Sequence, residues 1–182
     1  MIRLACGVIL LMLAVPAHAC EGEMFEAFRQ LAGKWQVFRD GKPAGQLEMR
    51  PVAGGCALLE DWRTTEGVRA TALHWTGPAD DASETDTVED VLATPENGEA
   101  MPATILHQVY IDSTGWSIRA DGSIEDGKLV YEGRVVEDGQ ELVLRATLHG
   151  LGSDEIVHVG ETSLDAGETW QEGFTLTYRR LP

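Results

Sequence analysis

The feature that most constrains this chain is a long succession of short stretches in which polar and apolar residues alternate, each stopped by a turn-forming group. The stretch 68–75 (VRATALHW) is one example, and 46–52 (QLEMRPV) is another. Strict alternation places successive side chains on opposite faces of a pleated strand, whereas a helix needs its apolar residues three and four apart. The pattern predicts strands over 34–38, 46–52, 57–63, 68–75, 105–112, 116–120, 128–136, 141–148, 155–162 and 174–180. The expected breaks are Asp40-Gly41, Gly54-Gly55, Glu66-Gly67, Ser113-Thr114-Gly115, Asp121-Gly122 and Glu137-Asp138-Gly139. Short alternating strands joined by such turns predict an antiparallel sandwich or barrel.

Only residues 23–31 (EMFEAFRQL) carry a helical period, with Met24, Phe25, Phe28 and Leu31 on one face and Gly33 as a stop. A helix this short must pack on something, and the closed end of a barrel is the simple partner. Residues 79–102 break the strand pattern. They are rich in Asp and Glu and contain Pro95, Asn97-Gly98 and Pro102. They read as a long surface loop, with 88–92 as a brief strand inside it. Neither an internal repeat nor a second domain is expected.

The chain opens with Arg3, an apolar run over 8–15 (VILLMLAV) and the small-x-small sequence Ala17-His18-Ala19. This is the pattern of a secretory leader over 1–19, cleaved after Ala19, with a mature domain over 20–182. The apolar run falls short of the roughly 20 residues that a spanning helix needs, so no transmembrane segment is expected in the mature chain. Export to a periplasmic or extracellular compartment makes Cys20 and Cys56 an expected disulfide. Such a bond closes a loop of about 36 residues, worth roughly 3–4 kcal/mol in the chain-entropy picture. The minor alternative is a lipoprotein anchored through Cys20. A net charge of −16 repels phosphate backbones and anionic membrane surfaces, so nucleic acid is excluded as a partner. The identity of any partner protein is not legible in the sequence.

The chemistry-bearing residues are few. His74, His107 and His158 each fall inside an expected strand, but their spacing is not that of a metal site, and no Cys/His cluster exists. No metal or cofactor is expected. In 155–162 one parity carries Ile156, His158, Gly160 and Thr162, which suits a cavity wall. Trp62, Trp75, Tyr110, Trp116 and Tyr131 supply amphipathic rings, some of which must point inward in a barrel of eight to ten strands. Glu60 and Arg145 lie mid-strand and read as outward and solvated. There is no Gly-x-Ser-x-Gly, no phosphate-binding loop and no dinucleotide fingerprint.

Several segments together resemble a known group. They are Leu31-Ala32-Gly33-Lys34-Trp35, Trp62, Tyr110-Ile111-Asp112-Ser113-Thr114-Gly115, the run 163–170 (SLDAGETW) and Leu176-Thr177-Tyr178-Arg179-Arg180. They are similar to the lipocalin-like bacterial domains of unknown function within the calycin barrels, and the resemblance covers most of the mature chain. It implies a single antiparallel up-and-down β-barrel with a central cavity and a short N-terminal helix. It also implies a structural latch of Gly33, Trp35 and Arg180 at the closed end. The Gly-x-Trp start resembles nitrobindin-type haem barrels as well. Their glycine-rich continuation is replaced here by Gln36-Val37-Phe38-Arg39, which argues against haem. The expectation is therefore a barrel that binds a small hydrophobic molecule, with Trp62, His74, His107, Tyr110 and His158 facing the lumen. Its site is expected at the end away from the latch, near 79–102. Two other readings stay open: an enzyme using a lumen histidine as general base, and a lipid-anchored structural or interaction module.

Overall fold

The computed structural model describes residues 23–78 and 104–182. Expectations that fall on the leader, on Cys20 and on 79–102 lie outside the described residues. One short helix, α1 (Glu23–Arg29), precedes ten strands. These are β1 (Gly33–Arg39), β2 (Lys42–Val52), β3 (Ala57–Thr64), β4 (Arg69–Pro78) and β5 (Thr104–Asp112) in the first half. The second half holds β6 (Ser117–Glu125), β7 (Lys128–Glu137), β8 (Gln140–His149), β9 (Glu155–Ser163) and β10 (Gln171–Arg180). Each strand pairs antiparallel with the next, and β10 returns to β1, so the sheet is a closed up-and-down barrel of the lipocalin/calycin type. Closure satisfies every strand edge within the molecule.

Alternation sorts the residues cleanly. Trp35, Val37, Leu47, Leu58, Leu106, Leu129 and Ile156 point inward and are fully buried. Several elements are longer than the alternation alone suggests, β2 and β6 by the most. Strand β2 starts at Lys42 because a bulge between Val37 and Phe38 lets Pro43 and Gly45 join the ladder. Strand β6 runs through Asp121-Gly122, which is no turn. The turn is Asp126-Gly127, with φ of 49° and 73°, the two positive values a tight hairpin requires. Gly122 is instead a lumen position with no room for a side chain, since a Cβ there would lie 2.5 Å from the Tyr131 ring.

One end of the barrel is plugged. Phe25, Phe28 and Leu31 are buried beneath α1, and the Phe28 ring lies 5.8 Å from the imidazole of His74. Beside this plug the first and last strands are tied together. The Arg180 guanidinium sits 4.1 Å over the Trp35 indole. It also donates to the carbonyls of Ala32 at 2.7 Å and Gln30 at 2.8 Å and pairs with Asp154 at 3.2 Å. Trp35 donates its own Nε1–H to the Leu31 carbonyl at 2.9 Å. Gly33 makes room: a Cβ there would meet Arg180 at 2.5 Å, and its φ of 139° disfavours any side chain.

The opposite end is the mouth, formed by the β1–β2, β3–β4, β5–β6, β7–β8 and β9–β10 turns. The β9–β10 connection is a self-bonded loop. Ser163 Oγ accepts from Gly167 N–H at 2.8 Å, and Asp165 accepts from Thr169 N–H at 2.8 Å. Donation from the Thr169 hydroxyl first, then the Thr169 N–H and the Ser163 hydroxyl, holds the Asp165 carboxyl down to about 2. This accounts for the spacing of Ser163, Asp165, Gly167 and Thr169. Trp170, just beyond, carries Arg145 on its face at 3.8 Å.

Candidate functional site

Above the plug the lumen opens into a cavity of about 590 Å³ that reaches the mouth. Its walls are largely apolar, from Trp62, Tyr110, Ile118, Ala146, Phe174 and Leu176. Arg39, Lys42, Pro43 and Glu66 stand at the opening. The Arg39 guanidinium lies 5.8 Å from the Phe174 ring centroid. The cavity keeps its width because Gly160 lies under Phe174. A Cβ at that position would lie 2.2 Å from the ring.

Two polar systems are set into this wall. In the first, Glu60 Oε2 lies 2.9 Å from His74 Nε2, and His74 Nδ1 lies 3.2 Å from the Tyr131 hydroxyl. The strands explain the meeting: Glu60 on β3 and His74 on β4 share the inward parity, with Leu58 opposite His74 and Ala72 opposite Glu60. His74 is buried, while Glu60 keeps 13% of its side chain exposed. Glu60 Oε1 makes no hydrogen bond with any described residue and is open to the cavity. In the second system, His158 Nδ1 lies 2.6 Å from the Tyr178 hydroxyl. The imidazole packs edge-on to Phe174 at 5.1 Å. Its Nε2 is buried and has no hydrogen-bond partner.

Burial dominates the protonation of this lining. It pushes His158 down to about 4, the Glu60 carboxylate partly opposing it, so the imidazole is neutral at neutral pH. It raises Tyr110 to about 12, with Asp112 and Glu60 adding to the effect. Tyr131 and Tyr178 are held well above the ordinary phenol range, by burial first and by Glu60 second. One carboxylate thus acts on four neighbours around the lumen.

This geometry limits what the residues can do chemically. His74 has a carboxylate partner that orients it, as a general base requires, but Tyr131 occupies its other nitrogen. His158 has a nitrogen to offer, but at a pKa of about 4 it is a weak base at neutral pH. The tyrosines are too hard to ionise to act as nucleophiles. Among the described residues no group of three or more His, Cys, Asp or Glu could hold a metal ion.

The expected lumen set is placed as follows. Trp62, Tyr110 and His158 line the cavity. His74 faces inward just beneath it, between Phe28 and Tyr131. His107 does not face the lumen. It pairs across the sheet with Trp75 and Asp121, on the parity opposite Gln108 and Tyr110. It stacks on Trp75 at 5.2 Å and bonds Asp121 at 2.8 Å on the outer face. Two buried neighbours, Leu106 and His107, hide the alternation in that part of β5. Arg145 is outward, paired with Glu161 at 2.9 Å. Glu60, expected outside, is inside, and the signal was its shared parity with Leu58 and Trp62. The expectation that the site lies near 79–102 falls outside the described residues, whose flanking strand ends stand opposite the cavity mouth. Strand β4 runs down to Pro78 and β5 starts at Thr104, both at the plugged end, because Ala57 and Trp75 pair beside the 3₁₀ turn Ala53–Gly55.

Comparison with protein-family models finds no match, and comparison with curated proteins finds no significant relative.

Proposed function

We propose that the protein is a lipocalin-like binding protein that holds one small, largely apolar molecule in its lumen. The observation that carries this reading is the cavity of about 590 Å³, open at one end and lined by aromatic and aliphatic side chains with a few fixed polar groups. Its volume and lining fall in the range of small-molecule sites, which bind through burial and take orientation from a few polar anchors. Binding is favoured over catalysis because, among the described residues, the lumen histidines and tyrosines offer no free strong base or nucleophile near neutral pH. The test is quenching of tryptophan fluorescence by an apolar probe such as a naphthalene derivative, since Trp62 lines the cavity. Ala146→Phe places a second ring in the space the probe would fill, and should weaken its binding by about tenfold or more. Equal quenching in the variant places the probe elsewhere and removes the main support for this reading.

The same reading treats the protein as exported, with a leader ending at Ala19 and a Cys20–Cys56 disulfide tying the chain start to the start of β3. Intact mass of the chain from its own host distinguishes this from the lipoprotein alternative. A mass two hydrogens below the reduced 20–182 chain supports the disulfide, and an added diacylglyceryl group refutes it.

A further inference from the structure

We infer that the lumen selects a ligand whose polar end is a protonated amine, in preference to a carboxylate. The inference rests on the lumen-binding reading and deepens it. Glu60 is the central observation. Its Oε2 is fixed by His74, which Tyr131 holds from the far side at 3.2 Å, so the carboxylate is pinned before any ligand arrives. Its Oε1 is open to the cavity with no partner among the described residues. A carboxylate oxygen in a largely apolar cavity is stabilised most by a charged donor.

The other lining groups agree. Apart from the His74 imidazole that already holds Oε2, no basic side chain among the described residues points inward beside Glu60 to compensate an incoming anion. Arg39 is at the mouth, against Phe174, and Arg145 lies outside, against Trp170 and Glu161. A deep carboxylate head would therefore face like-charge repulsion in a medium that screens poorly. An ammonium group meets the opposite field and also the faces of Trp62, Tyr110 and Phe174, which attract cations. The buried Nε2 of His158 has no hydrogen-bond partner among the described residues but also no surface on the cavity, so Glu60 is the acceptor on which the selection rests.

Three probes with one apolar body separate the possibilities: naphthylmethylamine, naphthylmethanol and naphthoate, titrated calorimetrically at neutral pH. The amine should bind about tenfold tighter than naphthoate or more, with the alcohol between them. Glu60→Gln keeps the volume and can still accept from His74. It should bring amine and acid to within about threefold while leaving the alcohol nearly unchanged. The wild-type comparison decides the matter even if Glu60→Gln does not fold. Naphthoate binding as tightly as the amine overturns the inference, as does an amine preference that survives Glu60→Gln. In either case, binding of the alcohol leaves the lumen reading standing. If none of the three binds, both proposals fall together.

Discussion

The buried imidazole of His158 ties the stability of this fold to pH. Its pKa falls from 6.5 to about 4 on folding, chiefly because burial disfavours the charged ring. The sign follows directly. Between those two values the unfolded chain binds a proton that the folded chain does not, so stability falls as pH is lowered through that window. Above 6.5 both states are neutral and the effect is absent. The slope it contributes is about 1.4 kcal/mol for each pH unit crossed. Urea midpoints measured across the window should fall with acid in the wild type, and more weakly in His158→Phe. Parallel slopes for the two proteins would contradict this assignment. At this scale the sequence was partly legible. His158 stood on the parity of Ile156, Gly160 and Thr162, and that parity alone pointed it inward. Glu60 shared the parity of Leu58 and Trp62, but that signal was outweighed because a lone carboxylate within a strand is more often solvated than facing a cavity.

Elements depend on which glycines are turns and which are spaces. Two Asp-Gly pairs in and after β6 look alike in sequence and do different things. Gly127 sits in a hairpin at a φ of 73°, with nothing within 4 Å of a built Cβ. Gly122 sits mid-strand, where a Cβ would meet the Tyr131 ring at 2.5 Å and the Val130 carbonyl at 2.9 Å. Gly127→Ala should cost about 1 kcal/mol through backbone strain and leave the lumen intact. Gly122→Ala should cost about 1–3 kcal/mol by overpacking and, by displacing Tyr131, disturb the bond to His74. Chemical denaturation ranks the two variants, and the His74 ring resonances report the displacement. The reverse ranking contradicts the distinction. Strand existence was readable from alternation, but these boundaries were not. A glycine's role depends on what lies across the sheet, and that neighbour is 9 residues away for Gly122 and Tyr131.

Closure of the barrel brings residues from the two ends of the domain together. Arg180 joins β10 to β1 and to the residues just after α1 through the Trp35 face and the carbonyls of Ala32 and Gln30. Arg180→Ala leaves both carbonyls without that donor and uncovers the indole, a loss of about 2–4 kcal/mol. Arg180→Lys keeps the charge but not the planar fork, so its urea midpoint should lie between those of Arg180→Ala and wild type. An unchanged midpoint in Arg180→Ala removes the latch from the account. By itself the sequence determined the all-β class, the short helix, the presence of all ten strands though not all their bounds, and the inward parity of most of them. These follow from local periodicity and turn chemistry, which each segment carries within itself. The tertiary structure alone decided that Glu60, His74 and Tyr131 form one hydrogen-bonded system, that His107 is outside, and that the cavity opens at the end opposite Pro78 and Thr104. Those facts depend on strand register, shear and direction, which are set by packing between segments distant in the chain and leave no mark on any one of them.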